Sequence, residues 1–127
     1  MADDLFERGL AMRRQVLGDE YVDRALSNVD DFTRDLQRII TEHAWGGVWA
    51  REGLNLKQRS LINLAMLASL NRSHELEIHL HGALRNGCTL DEIRETLLQV
   101  AIYAGFPAAV DAFRVAGRVL REEGLLP

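Results

Sequence analysis

The chain has 127 residues, 47% of them hydrophobic, and a formal charge of −4 from 15 basic and 19 acidic side chains. That length suits one domain spanning residues 1–127, and a composition with only two prolines and one cysteine favours packed helices over a disulfide framework or a disordered chain. Acids and bases are interspersed without a basic run or stripe, so nucleic acid is excluded as the expected partner.

The start, MADDLFERGLAMRR, places acids ahead of its apolar residues and lacks the hydrophobic core of a signal peptide, so it is not expected to be a secretion signal, and the lone Cys88, unable to form an internal disulfide, suits a reducing cytoplasm. Leu5, Leu10, Met12, Val16 and Leu17 predict a helix ended by Gly18, with a short second helix to Leu26. Residues 1–28 thus read as a helical arm attached to a core of residues 29–127. Asn28 is placed to cap the next helix, with Asp30 and Asp31 in its first turn and Phe32, Leu36, Ile39 and Ile40 at helical spacing. That helix should run to about Ala44. The segment HAWGGVWAREGLN then reads as a loop broken by Gly46, Gly47 and Gly53, yet it carries both tryptophans, Trp45 and Trp49. Such rings either plug the core or a subunit contact, or line a pocket near charged groups.

Asn55 and Gln58 form a capping-box variant that starts a helix at Leu56. From Leu61 to Leu70 the sequence LINLAMLASL is apolar on nearly every face, which predicts a helix enclosed by neighbours. Asn71 suits a left-handed cap and Ser73 the N-cap of the following helix, leaving Arg72 in a tight turn. In that helix Leu76, Leu80, Ala83 and Leu84 form a core stripe, and Glu75 and His79 lie one turn apart on its edge. His81 points to nearly the opposite side, toward solvent or a subunit contact. After Gly87, Thr89 and Glu92 make a capping box for a helix reaching Tyr103 that is apolar on more than one side, a surface for a partner subunit. The low-charge stretch from Thr96 to Val110 is interrupted by Gly105 and Pro107 and is too short to span a bilayer. The last helix carries Ala109, Phe113, Ala116 and Leu120 on one stripe and stops at Gly124.

Several chemistries are missing from this pattern. There is no Gly-rich phosphate loop, no serine elbow and no H-E-x-x-H pair, and His79 and His81 splay apart on a helix, so no metal is expected. Cys88 has no second thiol. What remains is Arg72, Glu75 and His79 at one helix start, Arg59 and Ser60 on the preceding helix, and Glu42 and His43 before the tryptophans. A glutamate one turn before a histidine favours imidazolium, which would keep His79 a proton donor near neutral pH. An arginine in the turn could grip a carboxylate in bidentate fashion. A surface Glu–His pair beside a capping arginine has the same sequence.

The runs AWGGVWAREGLNLKQRSLINLAMLASLNR and ELEIHLHGALRNGCTLDEIRETLLQVAIYAGFPAAVDAF, with the His79, Ala83, Gly87, Glu92-Ile93 spacing and the Tyr103, Gly105, Pro107 ending, resemble the 4-carboxymuconolactone decarboxylase branch of the carboxymuconolactone decarboxylase and alkylhydroperoxidase D superfamily. The resemblance covers more than half of the chain. In the superfamily's redox members a glutamate precedes a C-x-x-C-x-x-x-H motif. On this chain the two cysteine positions fall at Arg72 and Glu75, the histidine at His79 and the glutamate at Ser60. Without the two thiols, peroxidase and disulfide-reductase chemistry is excluded at this site.

The resemblance implies an all-α, alkylhydroperoxidase D-like bundle of about six helices, assembled as a homo-oligomer, trimer or hexamer. It also implies a cofactor-free decarboxylation of 4-carboxymuconolactone, a small lactone carboxylate, to 3-oxoadipate enol-lactone in the protocatechuate branch of the β-ketoadipate pathway of aromatic catabolism. On that expectation His79, oriented by Glu75, donates to the lactone oxygen or protonates ring carbon. Arg72 or Arg59, beside Ser60, holds the carboxymethyl carboxylate, Trp45 and Trp49 form an apolar wall, and Glu42 and His43 supply a further acid or base. The alternatives are a related decarboxylase acting on another lactone or carboxylic acid, and a non-catalytic oligomeric helical protein.

Overall fold

A computed structural model of the chain describes residues 2–127, with side chains from residue 4 onward. The chain divides into two compact units, one ending at Asn55 and the other spanning Leu56–Pro127. Among the described residues both are built of helices alone, in keeping with the expected all-α class.

The first unit holds α1 (Ala2–Leu17), α2 (Asp19–Ser27), α3 (Arg34–Ile39) and a π-helix (Ile40–Trp49). Gly18, at φ 89, ends α1 in a conformation that disfavours a Cβ. Arg14 spans the bend to pair with Asp19 at 3.2 Å and Asp23 at 2.8 Å. Asn28 does not cap the following helix as expected; it closes α2, its N–H on the Arg24 carbonyl at 3.2 Å and the next N–H, of Val29, on the Leu26 carbonyl at 3.4 Å. Asp30 organises the connection instead, its carboxylate accepting from the backbone N–H groups of Phe32 and Thr33, each at 2.9 Å, and α3 begins only at Arg34.

The tryptophan segment is not the expected loop. Residues 40–49 continue α3 as a wider helix that ends with the Ala50 N–H on the Trp45 carbonyl, five residues back, at 3.1 Å. The glycines read as breakers are contact points. A Cβ on Gly46 would collide with the Leu5 carbonyl, and one on Gly9 with the Thr41 carbonyl, so α1 and the π-helix meet backbone to backbone. One turn beyond Gly9, the 4% exposed Arg13 donates to Gln37 Oε1 at 3.0 Å and to Thr41 Oγ1 at 3.2 Å. The fully buried Thr41 in turn donates its hydroxyl to the Gln37 carbonyl at 2.8 Å. Burial lowers the Arg13 pKa, an effect that Tyr21 partly opposes. The buried guanidinium therefore ties α1 across the junction where α3 becomes the π-helix.

The second unit contains α4 (Leu56–Ser69), α5 (Ser73–Arg85), α6 (Leu90–Ala104) and α7 (Phe106–Glu122). α4 packs on α5 and α6, and α7 closes the arrangement against the same two helices. Leu64, Leu76, Leu80, Ile93, Leu97 and Val119 form the centre of the core, each no more than 2% exposed. The α4–α5 turn places Asn71 at φ 58, the left-handed conformation expected of it. Arg72, not Ser73, is the N-cap of α5, and its side chain makes no capping bond. The Thr89–Glu92 box is present in both directions, at 3.0 and 2.9 Å. Gly87 and Gly105 take the positive φ that their turns require.

α4 is not enclosed as its composition suggests. Only Ser60, Leu64 and Ala68 are buried, while Ile62, Met66 and Leu70 are 45–62% exposed. A helix in a four-helix arrangement buries one stripe, and the remaining apolar faces stay on the surface. On α6 the same holds for Ile102 and Tyr103, 71% and 83% exposed. Among the described residues no helix is long and apolar enough to cross a membrane.

Candidate functional site

The second unit brings His79 of α5 against Asn63 of α4. The Asn63 carboxamide nitrogen lies 3.4 Å from His79 Nδ1. The two side chains are within hydrogen-bonding reach, and an N–H donated by Asn63 to Nδ1 goes with a neutral ring whose proton is on Nε2. Burial pushes the His79 pKa down to about 4. The expectation of an imidazolium maintained by Glu75 is thereby corrected. Desolvation disfavours the charged ring, and Glu75 is itself exposed to water, where its field is screened. At neutral pH His79 is a hydrogen-bond donor rather than a strong acid.

Arg59 precedes Asn63 by one turn on α4 and is half-buried, so the two share a helix face with the contact to His79. Arg72 is exposed at the start of α5. Ser60 is 1% exposed, and its hydroxyl accepts from Asn86 Nδ2 at 2.9 Å, which ties α4 to the end of α5. His81 pairs with Glu123 at 2.9 Å. Cys88 is buried, and desolvation raises its pKa to about 11, so its thiol is a poor nucleophile at neutral pH. A groove of about 840 Å³ runs along α4 and α6, with Leu61, Ile62, Ala65, Thr96 and Tyr103 on its walls.

The remaining predicted residues lie on the π-helix of the first unit. Trp45 and Trp49 are buried and stacked, with ring centroids 4.8 Å apart and planes 22° from parallel. Glu42 is half-buried with Arg38 Nε at 3.5 Å, and His43 is exposed. Among the described residues no three His, Cys, Asp or Glu side chains cluster so as to hold a metal ion. The residue that sequence reasoning missed is Asn63. Its signal was present, because it is the one polar residue in the run from Leu61 to Ala68.

Comparison with known proteins agrees with the helical architecture. The model of the carboxymuconolactone decarboxylase family matches residues 34–118. The chain is 42% identical over 122 residues to 4-carboxymuconolactone decarboxylase of Acinetobacter baylyi, an overlap covering 96% of this chain and 91% of that one. It is 45% identical over 118 residues to nitrosuccinic acid decarboxylase of Metarhizium robertsii, covering 93% of this chain and 82% of the fungal one. A shorter 4-carboxymuconolactone decarboxylase sequence from Pseudomonas putida is 46% identical over 41 residues, 32% of this chain and 85% of that one.

Proposed function

The chain belongs to the carboxymuconolactone decarboxylase family, and on that premise we propose that it is a carboxy-lyase that removes carbon dioxide from 4-carboxymuconolactone to give 3-oxoadipate enol-lactone. The observation that carries this reading is the near full-length identity to the Acinetobacter enzyme. The chemistry suits the residues. Cleavage of the carbon–carboxylate bond sends an electron pair through the ring double bond to the lactone carbonyl, so the substrate is its own electron sink and needs no cofactor. The Nε2–H of His79 donates to the oxygen on which that charge gathers. One preorganised donor of this kind is worth about 3 kcal/mol, or about a hundredfold in rate.

Arg59 pairs with the carboxylate that stays on the product, with Arg72 as the second candidate. The proton that balances the loss of carbon dioxide comes from solvent, relayed by Glu75, which is exposed one turn before His79. Roles for Glu42, His43, Trp45 and Trp49 in this reaction rest on the sequence resemblance alone. The proposed setting is the protocatechuate branch of aromatic catabolism, in the cytoplasm, with the protein as a trimer or hexamer. Support for self-association comes from the apolar groove along α4 and α6 and from exposed Ile102 and Tyr103.

The fungal relative supports a second reading, decarboxylation of nitrosuccinic acid. A nitro group can also take up the electron pair on its oxygens, so the same donor would serve. Incubating pure protein with each acid separates the readings. Loss of lactone absorbance with one carbon dioxide per lactone is expected; turnover of nitrosuccinic acid alone would transfer the function to the second substrate, and turnover of neither would refute both.

A further inference from the structure

We infer that Asn63 is the positioning residue of the site: its carboxamide N–H, directed at His79 Nδ1, fixes the imidazole as the neutral tautomer that presents Nε2–H to substrate. The inference rests on the reading of His79 as the oxyanion donor and adds a residue to it. Asn63 stands out physically. It interrupts an otherwise apolar run on α4, half-buried, at a position where leucine or alanine would match the neighbours. A carboxamide there costs desolvation unless it is hydrogen-bonded, and its contact is the 3.4 Å approach to Nδ1. The polarity of that contact has a chemical consequence. A neutral imidazole has one N–H and one lone pair, and whichever nitrogen is engaged by a donor must carry the lone pair. A backbone carbonyl or carboxylate in the same place would put the proton on Nδ1 and turn Nε2 into an acceptor, which would repel a developing oxyanion. Asn63 therefore selects donor over acceptor at the reacting face without touching substrate.

Asn63→Asp tests this with almost no change of shape. The carboxylate accepts where the amide donates, so 15N NMR of the ring nitrogens, recorded for each protein above the pH at which its ring loses the second proton and with His79 identified by comparison with His79→Gln, should show the proton on Nε2 in the wild type and on Nδ1 in the variant. In the same samples kcat should fall about a hundredfold with KM changed by less than about threefold, the pattern of a lost transition-state donor. Asn63→Leu, which suits the apolar helix, should leave the ring a mixture of tautomers and lower kcat about tenfold. Wild-type tautomer populations in both variants would overturn the inference whatever the substrate. A reversed tautomer with unchanged turnover would overturn its catalytic consequence together with the donor role of His79. If the wild-type protein turned over neither acid, the functional reading would fail, while the NMR comparison would still decide what Asn63 does.

Discussion

The buried imidazole makes a quantitative prediction about stability. In the folded protein His79 titrates at about 4, against 6.5 for an ordinary histidine. Because the unfolded chain binds that proton more readily, stability rises with pH wherever the two states differ and falls as pH drops from 6.5 toward 4. A gap of about two and a half pH units corresponds to about 3 kcal/mol, of which about 2.5 kcal/mol is lost by pH 4.5. Urea unfolding of the wild type and of His79→Gln at pH 7 and pH 4.5 isolates this contribution, because carboxylates that titrate in the same range are common to both proteins. The wild type should lose about 2.5 kcal/mol more than the variant between the two pH values. Equal losses, or an NMR titration that places His79 at or above 6.5, would refute the burial of a neutral ring.

Other expectations follow from single contacts. Gly46→Ala would drive a Cβ into the Leu5 carbonyl, so it should destabilise the protein by about 3 kcal/mol and alter the near-UV circular dichroism of the Trp45–Trp49 stack. Thr89→Ala removes the cap on α6 and should cost about 1 kcal/mol in urea unfolding while leaving turnover unchanged. Arg59→Met should raise KM for 4-carboxymuconolactone at least about tenfold with little change in kcat, since a remote carboxylate contact is made equally in ground and transition states.

Much of the second unit was legible because its signals are local. The Thr89–Glu92 box needs only residues three apart, and Asn71, Gly87 and Gly105 mark turns whose backbone conformation few other residues accept. The π-helix was not legible. Gly46 and Gly47 look like breakers in one dimension, and only the approach of α1 shows that Gly46 is needed for contact. The caps Asn28 and Ser73 failed for a related reason: Asp30 and Arg72 sit close by, and the choice between neighbours depends on where the chain must go next. In the site, helical spacing and family resemblance both singled out His79, but its protonation state was misread because the nearby Glu75 is visible in sequence and the desolvation around the ring is not. Asn63 and Arg13 escaped notice for the same cause, since each has meaning only through a partner at least 16 residues away.

The donor role of His79 is tested most directly by turnover of 4-carboxymuconolactone by pure wild-type protein and His79→Ala, followed by lactone absorbance with carbon dioxide measured in parallel. The wild type should release one carbon dioxide per lactone, and the variant, folded as judged by circular dichroism, should be about a hundredfold slower in kcat. A variant with wild-type turnover would contradict the assignment of His79 as the group that stabilises the developing oxyanion.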